Sequence, residues 1–182
     1  MKGREYIFIL YIFLHRRCSL RYYSHRKSRV PYVRYFSSLF MKTKQLTHGA
    51  IAGIAGALVF GLMMLMMGML GMVGKLIGTE SLFLAFVYHL FNGAIIGLTF
   101  ALFFGSRIRG LGGSTLYGLV YGIVWWFLGP LLLMPIMLGM GSQLHVEGMI
   151  AAMPSLIGHI IFGIVMGVTF GMLRRSATLH TT

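Results

Sequence analysis

The sequence predicts an all-α, polytopic membrane four-helix bundle built from two tandem two-helix repeats, and three observations carry that prediction. First, 57% of the 182 residues are hydrophobic and 10% charged, with a mean hydropathy of +0.81, too apolar for a soluble domain of this size. Second, the hydropathy divides into four long apolar segments separated by short connections. Third, His89–Phe100 (HLFNGAIIGLTF) returns seventy residues later (159 − 89) as His159–Phe170 (HIIFGIVMGVTF), with His, two Gly, Thr and Phe at the same offsets. A fixed-period echo marks a duplicated structural unit.

The chain is read as a basic leader over 1–40, a first membrane hairpin over 41–110, a second over 111–176 and a tail over 177–182. The formal charge of +13 is concentrated at the start, where residues 1–40 carry nine Lys/Arg and only Glu5. It is a leader and loop property, so no nucleic-acid partner is expected. Tyr6–Leu14 is too short to span a bilayer. Three readings of the leader stand: a true start at Met41 with an over-extended or disordered arm before it, a mitochondrial presequence with Arg34-Tyr35-Phe36-Ser37 as its processing pattern, or an arm adhering to anionic headgroups. The lone Cys18 permits no intrachain disulfide and no CxxC motif.

The expected spans are Leu46–Met72, Ser81–Phe104, Ser114–Leu138 and Met149–Leu173. Short links between them require antiparallel neighbours. Lys42 and Lys44, Arg107 and Arg109, and Arg174 and Arg175 all fall on one side, so the positive-inside rule puts both termini inside. That implies a bacterial inner membrane with cytoplasmic termini, or alternatively the mitochondrial inner membrane. Two spans per repeat make the copies parallel, related by a pseudo-twofold axis along the membrane normal.

Each span carries Gly-x-x-x-Gly: Gly49/Gly53, Gly93/Gly97, Gly118/Gly122 and Gly163/Gly167. Residues four apart share a helix face, and a strip without side chains lets another backbone approach closely. By sequence, Gly49 and Gly53 map onto Gly118 and Gly122 at a shift of sixty-nine. Such strips serve packing within one chain, the favoured use, or between copies in a homo-oligomer. Trp125 shares a face with Gly118, Gly122 and Gly129 and is expected to fill a groove. Pro130 and Pro135 are expected to kink the outer half of the third span.

His89 and His159 stand four residues before Gly93 and Gly163, on the glycine face, and so should point into the bundle. His89 lies about 12 Å beyond the start of its helix, inside the apolar slab. With Asn92, which Phe162 replaces in the second copy, the two histidines form the candidate polar centre. They are read either as polar glue between helices or as a ligand or proton-accepting pair. Met63, Met64, Met66, Met67, Met69 and Met72, with Met134, Met137 and Met140, raise a copper(I) reading through their soft thioethers, against which adaptable packing is preferred. Glu80, Glu147 and His145 at the outer face are read as solvated loop residues. No catalytic arrangement and no cofactor motif is visible, so neither an enzyme nor a cofactor is expected.

The stretch Gly118–Gly167, with Tyr121-Gly122-Ile123-Val124-Trp125-Trp126, a Pro-interrupted outer half and His159 four residues before Gly163, resembles the YagU-like group of small bacterial inner-membrane proteins. The resemblance implies a non-enzymatic inner-membrane protein and assigns no catalytic residue. The lead expectation is a transport-like or supportive membrane protein centred on His89 and His159. A metal- or haem-binding membrane module is the alternative.

Overall fold

A computed structural model describes residues 31–179, with side chains over 43–176; of the leader read over 1–40, residues 1–30 lie outside the described residues. The described residues are helical: α1 (Pro31–Met66), α2 (Leu70–Leu76), α3 (Leu82–Phe104), α4 (Gly110–Leu128), a π-helical turn (Gly129–Leu133), α5 (Met134–Met137), α6 (Val146–Ala151) and α7 (Met153–Leu179). Four stretches are long and apolar enough to cross a membrane: Thr43–Met66, Leu82–Phe104, Gly110–Met137 and Met153–Ser176. By chain contacts, Met1–Phe40 and Met41–Thr182 form separate units, and all four stretches lie in the second. Over the described residues the chain is an all-helical, multi-pass membrane protein, its exposed large apolar side chains suited to lipid.

The first span is shorter than the hydropathy indicates. It stops at Met66 instead of Met72, and the remainder turns into the separate helix α2. The cause is Gly68, whose φ of 68° only glycine adopts readily. It allows the Gly68 N–H to reach Leu65 O (3.2 Å) and the Met69 N–H to reach Met64 O (2.8 Å), the Schellman pairing that satisfies the last carbonyls. Gly139 ends α5 the same way, through Gly139 N–H to Ile136 O and Met140 N–H to Pro135 O. Ser81 caps α3, its hydroxyl accepting from Leu84 N–H at 3.4 Å.

The expected kink in the third span is a π-helical turn. Pro130 supplies no N–H, and the widened turn exposes the Leu131 carbonyl, which accepts from the Gln143 N–H of the returning loop at 2.8 Å. The fourth span also divides, with α6 ending at Ala151 and α7 starting at Met153. The Ala152 carbonyl is held there by the Trp126 indole N–H (3.1 Å) and the Ser155 hydroxyl (2.8 Å).

Glycine sets how the helices pair. A Cβ on Gly53 would lie 2.8 Å from Gly97 Cα, and one on Gly118 would lie 2.8 Å from Gly167 Cα. So α1 packs backbone-to-backbone on α3, and α4 on α7. The partners differ by one turn from the match made by glycine identity. Gly49 borders Gly97 and Ala101, as Ser114 borders Gly167 and Gly171; Gly93 borders Ala57, as Gly163 borders Gly122. In contacts, therefore, Gly49, Gly53 and Ala57 stand where Ser114, Gly118 and Gly122 stand, a shift of 65 (118 − 53) and not 69. Sequence matching aligns glycine with glycine, whereas the seam accepts any small residue. Ser114 goes further and donates its buried hydroxyl to Gly167 O at 2.5 Å.

The half of the bundle at the C-terminal ends of α3 and α7 is closed by aromatic rings. Phe100 and Phe170, both fully buried, meet edge to face at 5.4 Å. Tyr121 packs on Phe100 and Phe104 and shares a 2.8 Å hydroxyl hydrogen bond with Thr99. Arg174 donates to the carbonyls of Gly105 and Ile108 and stacks over Phe170, closing the end of α3.

Candidate functional site

The opposite half does not close. A largely apolar cavity of about 400 Å³ lies there, bordered by α1, α2, α3, the π turn, α5 and the start of α7. Its wall includes His89, Asn92 and His159, so the structure places the three candidate polar residues around one space. Phe162, seventy residues after Asn92, lines it too.

The two imidazoles do not meet face to face. Each packs against Phe60 of α1, edge-on, with ring centroids 5.5 Å from His89 and 4.8 Å from His159. Phe60 is 5% exposed and touches both because Gly158, beside His159, has no side chain to hold it off. At the shift of 65 its counterpart is Trp125 (125 − 60), which also lines the cavity and packs on Tyr121 at 6.2 Å. Trp125, expected to fill a groove, is half-buried in the cavity wall.

Ring orientation follows from backbone partners. His159 Nδ1 lies 2.8 Å from Ser155 O, one turn earlier in α7, so it is the protonated nitrogen and Nε2 carries the lone pair. Nε2 is near Gly129, whose missing side chain leaves it uncovered. The buried His89 Nε2 has no hydrogen-bond partner. The Trp125 indole N–H is the other buried side-chain polar group without one among the described residues. A buried polar atom left unsatisfied costs roughly 1–3 kcal/mol, and both of these belong to residues of the cavity wall.

The methionines sort themselves by geometry. Met64, Met69 and Met72 line the cavity from the α1–α2 side, and Met134 and Met137 from α5. Met63, Met66, Met67 and Met140 do not, and Met66 is 88% exposed. Sequence spacing could not make that division, because the break at Gly68 redirects the chain after Met66. Glu80, His145 and Glu147 are outside the cavity wall, with His145 and Glu147 exposed. No group of three or more His, Cys, Asp or Glu side chains is gathered among the described residues. The eight seam glycines hold helices and do not border the cavity, except Gly93.

The chain matches no known family, characterised protein or solved structure.

Proposed function

We propose that this chain is a non-enzymatic, transport-like membrane protein whose working site is the cavity around His89, Asn92 and His159. One observation carries the reading: His89, Asn92 and His159 line a single cavity among otherwise apolar helices, and the buried His89 Nε2 has no hydrogen-bond partner. A cavity within apolar helices, with its few polar side chains gathered in one wall, is the pattern of a solute site.

The proposal includes the architecture. The two helix pairs are copies of one hairpin, related by a pseudo-twofold axis along the membrane normal. In support, the glycine seams pair in the same order, and the equivalent Phe100 and Phe170 touch each other, as side chains beside a twofold axis do. The helices correspond at 65 residues and their partners at 70, so the second copy holds five more residues (70 − 65), in the region of the π turn and its long loop. Basic residues at the terminal end orient both termini toward the cytoplasm of a bacterial inner membrane, with the cavity in the outer half. The resemblance to YagU-like proteins agrees with this placement.

The test is accessibility from outside. With Cys18 replaced by Ser, Asn92→Cys in spheroplasts should react with a membrane-impermeant maleimide, whereas Ala52→Cys, fully buried in the closed half, should not. An unreactive Asn92→Cys in a folded protein would defeat the chamber reading. A Soret band in the purified protein would transfer the histidines to a haem role.

A further inference from the structure

Resting on that chamber reading, we infer that the solute is a soft monovalent metal cation, copper(I) or its redox-inert analogue silver(I), held by imidazole Nε2 and thioether sulfur. Three features of the wall lead there.

The first is the donor set. Of fifteen methionines in the chain, five border the cavity, from both sides, and they share it with the two histidines. No Asp, Glu, Lys or Arg is in the wall. Calcium and magnesium require oxygen donors, and zinc sites draw on thiolates, carboxylates or three or more imidazoles, none of which is assembled here among the described residues. Thioethers with imidazole are the ligands that select copper(I).

The second is charge. Every candidate ligand is neutral, so the ion's whole charge stays in the slab. Burying charge in a low-dielectric medium is costly, and the Born cost rises with the square of the charge. A chamber with no anion therefore admits a monovalent ion far more readily than a divalent one. Trp125, in the same wall, offers an aromatic ring as a further cation-attracting surface.

The third is arrangement. Metal-binding histidines ordinarily donate their second ring N–H to a carbonyl, which fixes tautomer and aim. His159 does so to Ser155 O, 2.8 Å from its Nδ1. The methionines grade from the rim inward: Met137 is 63% exposed, Met72 38% and Met64 7%. Long, unbranched thioethers of graded depth give an ion successive footholds from the surface to the imidazoles, with no hydrated stage inside.

Full-length protein in nanodiscs, titrated anaerobically with copper(I) against a chromophoric chelator and separately with silver(I), should show one saturable site. Met64→Leu combined with Met134→Leu keeps side-chain volume and should weaken silver(I) binding at least tenfold, with the unfolding temperature confirming an intact fold. His89→Gln should weaken it to a similar degree. Met66→Leu, outside the wall, should leave it unchanged, and zinc(II) should not saturate. Absence of saturable silver(I) binding, or binding indifferent to both the double methionine and the histidine changes, or abolished by Met66→Leu, overturns the inference. If Asn92→Cys is still labelled in that case, the chamber stands without this metal as its cargo; if neither result appears, both readings fail together.

Discussion

The two halves of the bundle are made by the same four helices and packed in opposite ways. At the C-terminal ends of α3 and α7, Gly49, Gly53, Gly97, Gly118 and Gly167 bring backbones into contact, and Phe100, Phe104, Tyr121 and Phe170 interlock in the remaining space. Toward the loops, three of the four spans are interrupted: the first at Gly68, the third at Pro130, the fourth at Ala152. Interrupted helices cannot lie flush, and a largely apolar cavity of about 400 Å³ is left, with five methionines and His89, Asn92 and His159 in its wall. With no hydrophobic drive between helices in lipid, close packing holds the assembly together. The closed half supplies that cohesion, so the other half can remain open.

The sharpest way to break this contrast is to fill the seam. Gly167→Leu and Gly53→Leu should each cost more than ~3 kcal/mol, above the usual range for overpacking, because the clash is with backbone and cannot rotate away. Loss of the monodisperse peak and of helical circular dichroism in mild detergent would report it. Gly112→Leu, with nothing within 4 Å, should leave both unchanged. A tolerated Gly167→Leu would mean the helices do not meet there.

Next in size is removal of an aromatic from each half. Phe100→Ala should lose ~3–5 kcal/mol in denaturant unfolding, as expected for a closed core. Phe60→Ala should fall at or below the lower end, since its ring already borders open space. Equal losses would erase the proposed difference. The smallest effect belongs to the Thr99–Tyr121 hydroxyl pair. A double-mutant cycle of Thr99→Val and Tyr121→Phe should return a coupling of ~0.6 kcal/mol, the average for hydrogen bonds between membrane helices.

Much of the plan is legible without coordinates because its signals are local. Twenty or so apolar residues in a row specify a span whatever they touch, and i, i+4 spacing places His89 beside Gly93 regardless of partner. The seam's register escapes such reading because partner identity is not local. Ser114 and Ala57 serve where glycine is sought, and only the facing helix shows it. The end of α1 escapes it for a related reason: Met63–Met72 is almost uniformly apolar, so hydropathy runs through a break that one glycine dihedral makes.

The amino-acid order alone determined that the chain has four segments fit to cross a membrane, that its helices carry strips of small residues, and that two histidines share the faces of those strips. These are properties of composition and periodicity, set by the backbone's fixed geometry. The tertiary structure decided which methionines turn inward, that Phe60 stands against both imidazoles, and that one half closes while the other encloses a cavity. Those outcomes depend on how interrupted helices lean on one another, which no single segment encodes.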